Sequence, residues 1–346
     1  MMNLEKEIRE QPDVLSAVLV CNESVYAELL RQIRLKNPRN VYFAARGTSD
    51  HACIFAQYLF ALYLGIPCGL STPSAISQYG ARINYADSLV IGVSQSGAAE
   101  DVMSVLNDAK QSGAITVAVT NTKDSPLAKM ADFHLDCCAG PELSIAATKT
   151  FTAQMYLLAG LAARWSESKV LTDELALVPQ TVEHALRTLP DQLHAIISDY
   201  RNMKNGVVLG RGMMYPIALE GALKILETNR LRMKGYSVSD FYHGPFAQLS
   251  GDETVFLLAG AGPCFNDSMA MLKKLNDNQI KTVVITDAEA LTEPAAQVLR
   301  LPETGSDVVS AFSSAVAMQL FAAMLAQTRG IDPDQSKVLK KVTVTK

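Results

Sequence analysis

Residues 89–93, Leu-Val-Ile-Gly-Val, carry no polar side chain, and the chain holds several more runs like it. Such a run is short for a core helix and lacks the polar alternation of a half-exposed strand. It fits a strand buried on both faces of a parallel sheet. Parallel neighbours need crossovers, so helices should separate these runs. Residues 40–45 read as a strand that ends at Arg46-Gly47-Thr48-Ser49-Asp50, followed by a long apolar helix over 51–64. Further short strands fall at 67–71, 115–120 and 133–136, with helices between most of them. The second half repeats the theme: a strand at 206–210, then Arg211-Gly212, a helix over 216–227, and strands at 254–259, 282–285 and 298–301. Strand, Arg-Gly, helix opens both halves. The expected fold class is α/β: two doubly wound parallel-sheet subdomains in tandem, residues 25–170 and 195–331. A helical connection from 151 to about 201 joins them, with a break at Pro190. A polar C-terminal tail, 332–346, follows.

With 346 residues, 49% of them hydrophobic, the chain is large enough for two packed cores. The formal charge is −4 and no basic stripe is present, which argues against a nucleic-acid partner. The six cysteines are scattered, with no Cys-x-x-Cys pair, and most read as small buried hydrophobes. His51, His134, His184 and His194 lack metal-ligand spacing, so no metal is expected. The N-terminus reads as a charged helix start, not a signal peptide, and no apolar run is expected to cross a bilayer. A soluble cytoplasmic protein without a membrane partner is the expectation. Gly210-Arg-Gly212 lacks the third glycine of a dinucleotide fingerprint, and Pro263 follows Gly260-Ala-Gly262. No cofactor is expected.

Three places offer chemistry. The strand at 89–93 runs into Ser94-Gln95-Ser96-Gly97, and a helix follows from about 99 to 112. Unpaired first-turn N–H groups and the helix dipole favour an anion there, and two hydroxyls and an amide add donors. No lysine follows as in a nucleotide P-loop, so the loop suits a small phosphate monoester. In the helix after Gly212, Glu220, Lys224 and Glu227 share one face. Spacing alone favours a solvated ion-pair stripe. The functional alternative is a carboxylate base beside a lysine that tunes it. His243 precedes Gly244-Pro245, which places it on a loop, where it could shuttle a proton.

Ser94-Gln-Ser-Gly97, Ala147-Thr-Lys149-x-Phe151-Thr152, Leu209-Gly-Arg-Gly212, Ala218-Leu-Glu-Gly-Ala-Leu-Lys224, His243-Gly-Pro245 and Asp334-Gln335 together resemble the sugar isomerase (SIS) family. Within it, the chain is most similar to the isomerase half of glucosamine-6-phosphate synthase, over nearly its whole length. The resemblance implies flavodoxin-like SIS subdomains and a sugar phosphate ligand. It gives Ser94, Gln95 and Ser96 as the phosphate clamp, with Ser49 holding the sugar. It gives Glu227 as the enolising base, His243 as the ring-opening residue, and Lys224 as the lysine beside the base. Lys341 matches a tail lysine that contacts the sugar and can form a Schiff base. Glu142 and Ile145 match positions that line the sugar site. In the family the residue at the His243 position can be supplied by the other subunit, which implies a homodimer with shared active sites. Arg46, Ala99, Ala147 and Asp240 depart from the synthase, where cysteine, threonine, serine and glutamate are usual. Arg46-Gly-Thr48-Ser-Asp50-His51-Ala52 is instead similar to stand-alone sugar-phosphate deaminases of this fold, and adds Arg46 and Thr48 to the expected binding residues. The synthase's glutaminase domain has no counterpart in the sequence. The activity implied is conversion of glucosamine 6-phosphate to fructose 6-phosphate and ammonia. A fructosamine-6-phosphate deglycase, simple isomerisation, or a non-catalytic sugar-phosphate-binding regulator are the alternatives.

Overall fold

The structure, a computed structural model, describes residues 2–335 and Lys341. Helices α1 (Asn3–Arg9), α2 (Gln11–Cys21) and α3 (Glu23–Lys36) lead into the first alternation. It runs β1 (Asn40–Ala44), α4 (Thr48–Leu64), β2 (Cys68–Leu70), α5 (Pro73–Ser77), β3 (Ser88–Val93), α6 (Glu100–Gln111), β4 (Ile115–Thr120), α7 (Pro126–Met130) and β5 (Phe133–Asp136). Two long helices follow, α8 (Lys149–Ser166) and α9 (Lys169–Ile196). The second alternation is β6 (Asn205–Gly210), α10 (Met214–Asn229), β7 (Arg232–Ser237), α11 (Val238–Tyr242), β8 (Thr254–Leu258), α12 (Phe265–Asp277), β9 (Thr282–Thr286), β10 (Gln297–Arg300) and α13 (Asp307–Thr328).

Two compact units result. Among the described residues, unit I takes in 13–142, 149–175 and Lys341; unit II takes in 2–12, 143–148 and 176–335. Each contains one parallel five-stranded sheet, ordered β2-β1-β3-β4-β5 in unit I and β7-β6-β8-β9-β10 in unit II. Counted within each unit, both orders are 2-1-3-4-5, the flavodoxin-like arrangement. Strand order reverses between β1 and β3, and again between β6 and β8. The crevice beyond the carboxyl ends of such a pair is where open α/β sheets bind ligands.

The cores follow from the apolar runs. Every residue of β3, β4, β8 and β9 is buried. In unit I, α8 is buried from Lys149 through Ala163, and Phe43 of β1 meets Phe60 of α4. In unit II, α13 is buried from Val308 through Ala326, and Phe321 packs edge-on against Phe256 of β8.

Several sequence expectations need correction. The helical connection does not break at Pro190; α9 runs through both Pro179 and Pro190. Leu171, Leu175, Val178, Val182, Ala185, Leu189 and Leu193 are buried at helical spacing, and that burial outweighs the proline penalty. Pro179 has no N–H for the Leu175 carbonyl, and the Tyr156 hydroxyl donates to that carbonyl instead, at 2.7 Å. Helix α13 is long and apolar enough to cross a bilayer by composition, contrary to expectation, yet it is buried from Val308 through Ala326 as a core helix. Strand β7 is an element the sequence reading omits. Of the six cysteines, only Cys53 and Cys137 are buried.

Candidate active site

In unit I the loop after β3 forms as its residues dictate. Gly97 has φ +63°, and a Cβ there would collide with the Ser125 side chain. Only glycine fits, because the left-handed turn and the close approach coincide. Ser94 is buried, while Gln95 and Ser96 are partly exposed or buried to an intermediate degree. The Ser94 hydroxyl accepts from the Gly97 N–H at 3.2 Å, and the Ser96 hydroxyl from the Ala98 N–H at 3.4 Å. Both bonds are long, so the hydroxyls can turn to an incoming anion. Ala99 is the N-cap of α6 and offers no side-chain acceptor.

Arg46 lies beyond the carboxyl end of β1. Its Nε donates to Asp101 Oδ2 at 2.5 Å. Asp101 sits in the first turn of α6 and is 2% exposed, while the arginine is 49% exposed. Arg46 is therefore anchored across the β1/β3 reversal with part of its guanidinium open to solvent. Thr48 and the buried Ser49 open α4 at the same end of the sheet.

Glu142 forms a second cluster in unit I. Its carboxylate accepts from the Thr150 N–H at 3.1 Å, the Thr150 hydroxyl at 2.9 Å and Lys341 Nζ at 2.7 Å. A carboxylate at the first turn of α8 is favoured by the helix dipole, and the lysine completes its coordination.

In unit II the Glu220–Lys224–Glu227 face is not the solvated stripe that spacing favoured. Lys224 Nζ lies 3.2 Å from Glu220 and 2.7 Å from Glu227, with both Lys224 and Glu220 at 2% side-chain exposure. Burial alone would lower the lysine pKa, but the two carboxylates outweigh it and hold the pKa above its ordinary value. Lys224 is thus a fixed cation. Glu227, at 23% side-chain exposure, is the outward member of the three.

Glu227 lines a cavity of about 220 Å³ together with Ile145, Arg230, Asp332 and Gln335. Helix α1 braces two of its walls. Buried Glu7 accepts from the N–H groups of Leu143 and Ser144 and from the Ser144 hydroxyl. At the other end of the helix, the Asp334 carboxylate accepts from the N–H groups of Asn3 and Leu4 at 2.6 and 3.1 Å. His243 is exposed at the end of α11 and does not line this cavity.

Ile145 and Glu227 are thus brought together, as are Lys224 with Glu227 and Lys341 with Glu142. Sequence reasoning missed Glu7, Asp101 and Arg230. Glu7 sits in a charged amphipathic helix whose local pattern shows nothing of its partner. Asp101 carries a signal in hindsight: an acid in a first helical turn, opposite an Arg-Gly strand end.

Comparison with known proteins extends this geometry. The chain matches the SIS domain family over residues 34–164 and again over 199–329. It is 33% identical over 353 residues to the glutamine–fructose-6-phosphate aminotransferase [isomerizing] of Aquifex aeolicus, covering 98% of this chain and 57% of that one. The chain thus spans less than two thirds of the length of that curated relative. A solved structure from Silicibacter pomeroyi, described as a candidate phosphosugar isomerase, superimposes with a TM-score of 0.86 at 32% identity, covering 96% of this chain and all of the other. The glucosamine-6-phosphate deaminase of Thermotoga maritima shares the fold, with a TM-score of 0.76 at 22% identity over 99% of this chain and 100% of that one. The chain belongs to the SIS domain family.

Proposed function

We propose that this SIS-family chain is an amino sugar phosphate isomerase and deaminase, converting glucosamine 6-phosphate and water to fructose 6-phosphate and ammonia. The observation that carries the reading is Glu227: a partly exposed carboxylate on a cavity, backed by a buried lysine whose pKa is held above its ordinary value. In this reading the loop hydroxyls of Ser94 and Ser96, the Gln95 amide and the open part of Arg46 take the phosphate. Thr48, Ser49, Glu142 and Ile145 hold the sugar. His243 moves the ring proton to give the open-chain aldehyde. Glu227 then removes the C2 proton; the C–H pair becomes the C1–C2 double bond, and the carbonyl pair moves to the C1 oxygen. Return of a proton to C1 leaves an imine at C2, which water hydrolyses to the ketone and ammonia. Lys341 is paired with Glu142, and we assign it to holding the sugar. The tail 332–346 belongs functionally with the site. A buried three-charge cluster is costly to keep, which supports a catalyst over a regulator that only binds.

The test is glucosamine 6-phosphate in deuterated water with the parent and Glu227→Gln. Loss of a general base should lower both ammonia release and C2 hydrogen exchange by about 100- to 10,000-fold. Unchanged exchange in the mutant removes Glu227 from this role. Exchange without ammonia in the parent removes the deaminase and favours simple isomerisation. A homodimer with shared sites is part of the same proposal, supported by His243 being exposed and not among the described residues that line the Glu227 cavity. Mixing Glu227→Gln with His243→Ala subunits should restore activity; no recovery after verified exchange opposes sharing.

A further inference from the structure

Enolisation needs more than a base. When the C2 proton leaves, negative charge builds on the C1 oxygen, and a site that does not meet that charge gains little. The lining of the Glu227 cavity poses this problem sharply. Two of its residues, Glu227 and Asp332, are carboxylates. Lys224 is buried between Glu220 and Glu227 and is spent on them. Among the described residues that line the cavity, Arg230 is the one cation.

Two further features set Arg230 apart. It is the C-cap of α10 with φ +57° and ψ 38°, a left-handed position where helices usually place glycine or asparagine. A long charged side chain is retained there against the backbone preference, three residues after Glu227. No salt bridge ties its side chain to a carboxylate among the described residues, whereas Arg46 and Arg211 are each held by an aspartate.

We propose that Arg230 is a catalytic residue that stabilises the oxyanion formed on C1 as Glu227 takes the C2 proton. The proposal rests on the reading of Glu227 as the base. The planar fork of the guanidinium suits an enolate-type intermediate, in which the C1 oxygen and the C2 nitrogen lie in one plane. As C1 and its oxygen are reprotonated the charge disappears, and the arginine is released unchanged. A cation at the C-terminal end of a helix is also favoured by the helix dipole, so the experiment must separate charge stabilisation in the reaction from a merely structural preference.

Arg230→Met and Arg230→Lys would be compared with the parent and with Glu227→Gln, after thermal unfolding shows the variants folded. With glucosamine 6-phosphate, Arg230→Met should lower kcat by about 100-fold with KM nearly unchanged, and Arg230→Lys should recover part of the loss. Two inhibitors sharpen the result: an anionic planar mimic, a five-carbon aldonohydroxamate phosphate, and a neutral-headed one, glucitol 6-phosphate. The hydroxamate should bind Arg230→Met far more weakly, and glucitol 6-phosphate equally well. Equal weakening of both inhibitors, or an unchanged kcat, overturns the proposal; if Glu227→Gln has lost C2 exchange in the same series, the base reading survives. Parent-rate C2 exchange in Glu227→Gln overturns the base reading and this proposal with it.

Discussion

The two units share a strand order but treat the crevice at its reversal in opposite ways. In both, an arginine after the first strand ties to an aspartate in the helix after the third: Arg46 to Asp101 at 2.5 Å in unit I, Arg211 to Asp267 at 3.1 Å in unit II. The repeated Arg-Gly of the sequence is this staple. Beyond it the units diverge. In unit I the loop after β3 offers hydroxyls, an amide and an uncapped helix start. In unit II the loop after β8 is filled by the chain's own acids. The Ala261 N–H donates to buried Asp287 at 2.8 Å, and Asp307 lies so close to Gly262 that a Cβ there would strike its carboxylate. One copy places hydroxyls and an amide at the reversal, where we propose the phosphate binds; the other places its own carboxylates there. The two halves keep one scaffold, while the loop residues decide which crevice stays open.

This contrast can be broken in order of expected effect. Unit II stakes stability on buried charge, so Lys224→Met should cost about 3–5 kcal/mol by leaving Glu220 and Glu227 uncompensated, read as a lower urea midpoint. Because the lysine pKa is raised in the folded state, its contribution is complete below the unfolded value of about 10.4. The difference between parent and mutant should therefore hold through neutral pH and shrink only as pH rises beyond that value. A difference that vanishes near neutrality would show that Lys224 is not held charged.

Copying the unit II solution into unit I is the next test. Ser96→Asp places a carboxylate where unit I has a donor, and should weaken glucosamine 6-phosphate binding by about 100-fold with circular dichroism unchanged. Unaltered affinity would put the phosphate elsewhere. The smallest effect separates the two staples. Arg46→Ala should weaken binding about 10-fold, the scale of one charge-assisted contact, while Arg211→Ala should leave it unchanged. Equal effects on titration calorimetry would mean that the arginines act only on the scaffold.

Much of this was legible in the residues. Strand β3 and the turn at Gly97 follow from an apolar run meeting small hydroxyl residues, and α10 from its periodicity. What escaped was set by partners distant in sequence. Spacing placed Glu220, Lys224 and Glu227 on one face, but whether that face meets water depends on what covers it, and the helix pattern does not carry that. Strand β7, Arg-Met-Lys-Gly-Tyr-Ser, lies at a sheet edge, where exposed Arg232 and Lys234 dilute the apolar signal. Pro190 looks like a stop, yet the buried face of α9 carries the helix through it. Glu7 could not be read at all, since its acceptor role is fulfilled 136 residues away.

Helix α1 has a mechanical corollary. Its seven residues hold the 143–144 backbone at one end and the Asp334 turn at the other, so they behave as a tie-rod between two sides of the Glu227 cavity. A label or anchor attached beside Asn3 is therefore expected to disturb the cavity walls, read as a change in activity.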